Sequence, residues 1–349
     1  MHIGLPRETK DGEFRVALTP GGAAQLVRAG HAVVFERGAG AGVGFADEDY
    51  LRAGARPGEA WDCELLVKVK ELQAAEYRKP RRGQILFGFQ HFGPHPGLLD
   101  AALASGASFV AYETVGQAGG RLPILAPMSA IAGRLAVQAG AWCLQKQNGG
   151  SGVLLPGVAG VAPGRIVILG AGNVGANALA VAHGLGASVT VHAKSARRFP
   201  ALRAQYAGVR FETAAPSVAD ADLVIGGVLT PGQLSPKLVS RAMLRAMRPG
   251  SVLVDVGIDQ GGIAETSRPT SYSAPTYVEE GIVHYCVPNM PAACARTASL
   301  ALEQAVLPFA LKLAAGEPCE DLRTGLQVAR GCVTHEQLAR DTCRPYHPT

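Results

Sequence analysis

Only 6% of this chain's 349 residues are aromatic and 17% charged, and several of its shortages exclude whole classes of function. The 33 basic residues barely exceed the 28 acidic ones, and both signs are scattered. So small an excess argues against nucleic acid and is compatible with a small anionic ligand. The N-terminal MHIGLPRETK has no apolar h-region, so no signal peptide is indicated. No stretch reaches the ~18 uninterrupted apolar residues of a membrane span. The most apolar late run, 298–315, holds Glu303, Gln304, Pro308 and Lys312. Cysteines number seven, an odd count, and no CxxC occurs, so neither a disulfide framework nor a metal site is expected. Reduced thiols point to the cytoplasm. Repeats with a period of roughly 20–50 residues are lacking too. What is present is 48% hydrophobic residues, enough for a full core, and 44 glycines for tight turns. At ~150 residues per domain, the length suggests two domains.

Short apolar runs alternate with helical patterns. A helix over 21–29 precedes a strand at 32–36 (AVVFE), and further strands read at 65–69 (LLVKV), 84–89 (QILFGF) and 108–112 (SFVAY). Ten or more helix-prone residues between strands indicate βαβ units. An Ala-rich helix is expected over 129–145, then a Gly/Pro-rich break over 149–164. RIVIL at 165–169 opens a second series, with strands at 188–192, 223–226 and 252–256. Their short continuous apolar runs suit parallel strands covered on both faces. A long apolar helix follows over 297–313, and the tail beyond Glu317 reads as polar and mixed. The expectation is an α/β protein of two domains with a cleft between them.

Gly170-Ala-Gly172-Asn-Val-Gly175 fits GxGxxG. At this glycine content roughly 0.7 chance matches are expected, so the pattern alone decides nothing. Its place decides more, because it follows the strand IVIL and opens the helical run ANALAVAHGL. That strand–turn–helix aims backbone N–H groups and a helix N-terminus at a pyrophosphate. The next strand normally ends in an acid that takes the ribose 2′-hydroxyl of NAD. Here that place holds Ala193, or His192 if the strand is one residue shorter. Lys194, Ser195, Arg197 and Arg198 follow. Cations and a hydroxyl suit a 2′-phosphate, so NADP is the expected cofactor and NAD the alternative. The competing reading is a solvated basic loop.

The chain resembles the alanine dehydrogenase family, within a wider group that includes the NAD-binding subunit of nicotinamide nucleotide transhydrogenase. The match runs from Met1 to about Ala339. It includes IGLPRETKDGEFRVALTP near the start, LLVKVKE at 65–71, GQILFGFQHF at 83–92, AYETV at 111–115 and LAPMS at 125–129. It continues through ILGAGNVG at 168–175, DLVIGGVL at 222–229, PGSVLVDVGIDQGG at 249–262, ETSRPT at 265–270, HYCVPNMP at 284–291 and VTHEQLA at 333–339. The resemblance implies two Rossmann-like domains: a substrate domain of residues 1–128 plus 299–349, and a dinucleotide domain of 129–298. It implies reversible oxidative deamination of L-alanine, or a related small amino acid, to the 2-oxo acid. It also implies a homo-oligomer, commonly a hexamer. The chain departs from the family pattern at Phe92-Gly93-Pro94, Ala130, Ala193, Gly257, Ile263 and Pro288. These departures bear on which amino acid is preferred.

Oxidising an amino acid needs a cation for the carboxylate, a base for the amine proton and later a water proton, and a nicotinamide to take hydride. Arg15 matches a family carboxylate-binding residue, and guanidinium grips carboxylate with two parallel bonds. By residue type alone, an Arg in a polar loop is usually solvated. Lys68 and Lys70 alternate in VKVKE, which places both on one strand face near the strand's C-terminal end. Lys70 matches the family lysine on the substrate carboxylate and carbonyl; the competing reading is an edge strand protected by charge. His91 matches the catalytic histidine, and an ordinary pKa of about 6.5 suits proton transfer. A packed or surface histidine is the plainer reading. Asp259, near glycines, matches the aspartate beside the nicotinamide and catalytic water, while Asp255 on the strand reads as structural. Ser129, Val228, Asn289 and Met290 match cofactor-contact positions. Two other functions stay open: an imine or 2-oxo-acid reductase acting on a different amino acid, and a transhydrogenase-like nucleotide-binding module. The module needs no substrate carboxylate site, so Arg15, Lys70 and His91 argue against it.

Overall fold

A computed structural model describes residues 1–116, 120–228, 234–317 and 319–348. The chain divides into two compact units, Met1–Met128 with Ala292–Thr349, and Ser129–Pro291. The first begins with β1 (His2–Leu5), α1 (Pro20–Arg28), β2 (Ala32–Phe35), α2 (Asp47–Arg52) and β3 (Arg56–Pro57). It continues with β4 (Leu65–Val67), β5 (Ile85–Gly88), α3 (Pro96–Ser105) and β6 (Ser108–Ala111). Next comes α4 (Leu125–Cys143), which starts earlier than the Ala-rich pattern indicated. The second unit holds β7 (Arg165–Leu169), α5 (Asn173–Gly184), β8 (Ser188–His192), α6 (Phe199–Gln205) and β9 (Arg210–Glu212). It closes with β10 (Leu223–Gly226), α7 (Arg241–Arg245), β11 (Val252–Asp255), β12 (Thr276–Glu279) and β13 (Ile282–Tyr285). The chain then returns to the first unit with α8 (Ala295–Ala315), α9 (Glu320–Gly325), β14 (Leu326–Ala329), β15 (Cys332–Val333) and α10 (Glu336–Thr342).

One sheet runs β3-β2-β1-β4-β5-β6-β14-β15 and the other β9-β8-β7-β10-β11-β13-β12. Strands β1 to β6 pair in parallel, as do β7 to β11 with β13. The appended β12, β14 and β15 are antiparallel. In each sheet the order reverses once, between β1 and β4 and between β7 and β10. The crevice outside the carboxyl ends at such a reversal is where open α/β sheets bind ligands. The central strands are apolar on both faces because helices cover both; Leu65, Leu66, Ile168, Leu223, Val252 and Val254 are all buried.

Three readings of the chain need correction. Strand β4 stops at Val67, so Lys68 and Lys70 lie beyond it rather than on its face. It is also interior, flanked by β1 and β5, so its lysines protect no edge. The tail taken as mixed folds into two helices and two strands. β14 adds to β6, and its Val328 packs with Phe109, Val333 and Leu338. By length and apolarity alone the stretch Met290–Ala315 would suffice to cross a membrane. Within it α8 buries Leu302, Val306 and Ala310, and Ser299 Oγ and Glu303 accept the N–H groups of Val16 and Thr19.

Candidate active site

The loops leaving β1, β4, β5 and β6 bring Arg15, Lys70, His91 and Glu113 to one sheet end. Arg15 is 2% exposed, so it is not the solvated residue of a polar loop. Its guanidinium grips Glu13 through Nε (2.6 Å to Oε1) and Nη2 (2.5 Å to Oε2), and Nη1 donates to Met128 Sδ at 3.2 Å. A buried, bidentate Arg is held in one orientation before any ligand arrives. Lys70 is also buried, with its ammonium 5.6 Å from the centre of the Phe89 ring.

Lys68 has a different setting. Its ammonium donates to Glu8 at 3.1 Å and to Glu76 at 3.4 Å, and all three side chains are at most 5% exposed. Glu8 also accepts the backbone N–H of Val69 (2.7 Å) and of Lys70 (3.4 Å), while Glu76 accepts that of Gln73 (2.9 Å). These bonds fix the segment that carries Lys70. Burial works against the Lys68 ammonium, but Glu8 and Glu76 outweigh it and hold its pKa above the ordinary value. Two carboxylates share this one cation, and burial pushes Glu8 upward.

His91 follows β5 with φ of +46°, a backbone conformation uncommon for a non-glycine residue and concentrated at functional sites. Its N–H donates to Glu113 at 2.8 Å, and the Gln90 N–H reaches the same carboxylate. The imidazole lies nearly parallel to the Phe89 ring, with centroids 5.6 Å apart, and Nδ1 is 3.1 Å from Glu71 Oε2. The other Glu71 oxygen pairs with Lys10. Residue type and motif point to the cations but not to Glu8, Glu13, Glu71 and Glu113. Glu13 and Glu71 stand beside Arg15 and Lys70 in the quoted motifs, where a carboxylate reads equally well as solvated charge, and only the burial of the cations shows that they need partners.

In the second unit three glycines have three separate reasons. Gly170 has φ of +108°, and a Cβ there would lie 2.8 Å from Gly227 O. A Cβ on Gly175 would lie 1.8 Å from Gly170 O, so strand and helix pack too closely for any side chain. At Gly172, the N-cap of α5, a Cβ would meet nothing within 4 Å, so that face is open. A close turn, an open approach and tight helix packing are what pyrophosphate binding at a helix N-terminus demands. Val228 follows β10 across the same reversal of strand order; Leu229, which ends its motif, lies outside the described residues.

Beyond β8, Ala193 is half-buried, and Lys194, Ser195, Arg197 and Arg198 are exposed. Ser195 Oγ accepts the Arg197 N–H at 3.3 Å. Arg198 Nη1 turns back to the glycine loop, 3.4 Å from Ala171 O and 3.5 Å from Asn173 Oδ1. Asp259 is exposed in the turn after β11, and its Oδ2 accepts the Asn289 N–H at 3.3 Å. Tyr272 OH donates to the carbonyls of Asn289 and Met290, both at 3.2 Å, and Asn289 has φ of +55°. Asp255 is fully buried and accepts from Gly257 N, Ile263 N and Ser267 Oγ, which makes it the anchor of the Asp259 turn. Ser129 is half-buried on α4. Among the described residues, no cluster of three or more His, Cys, Asp or Glu side chains is placed to hold a metal.

The models of the alanine dehydrogenase/PNT N-terminal and C-terminal domains match residues 4–132 and 136–339. An alanine dehydrogenase of Halomonas elongata is 49% identical, across 97% of this chain and 96% of its own length. A solved structure of an L-alanine dehydrogenase superposes with a TM-score of 0.94 at 44% identity, covering 98% of this chain and 99% of the other. The transhydrogenase from Sinorhizobium meliloti superposes with a TM-score of 0.81 at 28% identity, covering 96% and 99%.

Proposed function

Because the chain belongs to the alanine dehydrogenase/PNT family, we propose that it catalyses the reversible oxidative deamination of L-alanine to pyruvate and ammonia with a nicotinamide coenzyme. The observation that carries this reading is the pair of buried, preoriented cations, Arg15 and Lys70, at the same sheet end as His91. A nucleotide-binding module has no use for such a set. The first unit is the substrate domain in this reading. Arg15 and Lys70 hold the carboxylate and the developing carbonyl, and His91 exchanges the proton. The second unit is the coenzyme domain. Its glycine turn fits a dinucleotide, since Gly172 presents no obstacle and Gly170 and Gly175 admit no side chain. The coenzyme, when bound, accepts the α-hydrogen as hydride. Val228, Ser129, Asn289 and Met290 would hold it, and Asp259 would orient the water and stabilise the cationic imine. The test is reduced-nicotinamide formation with L-alanine, followed in reverse with pyruvate and ammonium. Turnover restricted to a bulkier amino acid would replace alanine with that substrate. Hydride exchange between coenzymes, with no amino acid oxidised, would overturn the reading.

The coenzyme in this proposal is NADP(H) in preference to NAD(H). Alanine at 193 neither accepts from a 2′-hydroxyl nor repels a 2′-phosphate, and Arg198 already leans over the glycine turn. Charge-assisted hydrogen bonds contribute about 1.5–3 kcal/mol each. At an exposed loop the lower figure applies, so a preference of about tenfold is expected. Ala193→Asp should move the ratio of kcat/KM values toward NAD. A wild-type enzyme that favours NAD, or a variant with an unchanged ratio, would mean that the basic loop is merely solvated.

A further inference from the structure

We infer that Glu71 is a positioning residue for proton transfer: its buried carboxylate holds His91 protonated at Nδ1 and so leaves Nε2 as the atom that takes and returns the proton. The inference rests on the reading of His91 as the acid/base group. Glu71 is on the segment after β4 and His91 follows β5, so neighbouring parallel strands bring them together. Their 3.1 Å contact is direct, and the Glu71 side chain is 5% exposed against 39% for His91. One edge of the imidazole is therefore tied down inside the protein, while the side chain as a whole keeps access to solvent.

Three further contacts make this a built arrangement rather than a chance approach. Lys10 holds the second Glu71 oxygen, so both carboxylate oxygens are engaged. Phe89 packs beside the imidazole, 16° from parallel and 5.6 Å between ring centres. Glu113 pins the backbone N–H of His91 in its unusual conformation. Among the described residues, the charged groups near the ring include Glu71, Lys10, Lys70 beside Phe89, and Glu113 at the backbone.

The protonation state follows from the partners. Burial alone would raise Glu71. The hydrogen bond to His91, the charges of Lys70 and His91, and the hydrogen bond from Lys10 outweigh it and hold the carboxyl far below its usual range. An ionised carboxylate only accepts hydrogen bonds, so the proton between the two groups belongs to Nδ1. In the oxidative direction Nε2 gains one proton from the amine or the water, and the ring becomes imidazolium. Glu71 stays ionised and stabilises that cation. The proton then leaves by Nε2.

Two measurements on the full-length protein test this. The first uses ¹⁵N spectra of histidine-labelled wild-type protein above the histidine titration, with the His91 signals assigned by their loss in His91→Gln. A protonated Nδ1 and a bare Nε2 are expected; the opposite tautomer would overturn the inference without any variant at Glu71. The second compares Glu71→Leu with Glu71→Gln. Leu should scramble the tautomer and lower kcat by roughly 10- to 10³-fold, part of the effect typical of a general acid–base group, with KM for alanine little changed. Gln keeps one accepting oxygen and should recover part of kcat. If Glu71→Leu keeps both tautomer and kcat while His91→Ala is inactive, Glu71 has no positioning role. Full activity of His91→Ala would instead remove the reading of His91 itself.

Discussion

His91→Ala is expected to lower the turnover of L-alanine by roughly 10²- to 10⁴-fold while coenzyme affinity changes little. The size follows from the chemistry. Both the amine and the attacking water must lose protons near neutral pH, and an imidazole is the side chain suited to that exchange. The small effect on coenzyme follows from placement: His91 belongs to the first unit, and the glycine turn to the second. Alanine is not a neutral choice, however. At φ of +46° a Cβ-bearing residue is disfavoured, and asparagine tolerates that region better. His91→Asn therefore separates lost chemistry from a disturbed loop, because it keeps the backbone donor to Glu113 and removes the titrating ring. Both variants should show the same loss in kcat, with coenzyme binding followed by reduced-nicotinamide fluorescence. Wild-type turnover in His91→Asn would end the proton-transfer role.

Much of the fold was legible because parallel strands and the glycine motif leave local traces. RIVIL, with its covered faces, and GAGNVG, with its excluded side chains, could be placed from short windows. The order of the strands had no such trace. It depends on which crossovers pack, and only the folded chain shows two sheets that each reverse once. β14 was missed for a related reason: four residues, LQVA, become a strand by adding to β6, a partner more than 200 residues earlier. At the candidate site the cations could be named because Arg15 and Lys70 fall on motifs of the family the chain resembles; by residue type alone Arg15 would read as solvated. Their carboxylates could not, because KVKE and GEFR read equally well as solvated charge. Burial changes the meaning of these residues, and burial belongs to the tertiary structure. Lys68 is the clearest case: in sequence it was a twin of Lys70, and in the fold it is tied between Glu8 and Glu76.

Lys68→Met should cost stability on the order of 3–5 kcal/mol, the usual penalty for removing one partner from a buried ion pair. Methionine replaces much of the volume, so the loss is chiefly electrostatic. It leaves Glu8 and Glu76 inside the protein with no cation between them. Glu8 is already raised by burial in the wild type, and without Lys68 it rises further. A carboxyl whose pKa is higher in the folded state binds its proton more tightly there. The variant is therefore least impaired at low pH, and it loses stability as pH rises through the raised folded value. The wild type has the opposite protection, since the raised pKa of Lys68 keeps the ammonium charged at every pH below its own titration. Urea midpoints of the two proteins should thus lie closer at about pH 5 than at about pH 8, where Glu8 demands charge. The amides of Val69 and Lys70 hang on Glu8, so protonating it also loosens the backbone under Lys70. KM for alanine should then rise in Lys68→Met even where the enzyme stays folded. Equal midpoints at both pH values would show that solvent or another cation neutralises the two carboxylates, and the ion triad would lose its place in the design of the loop after β4.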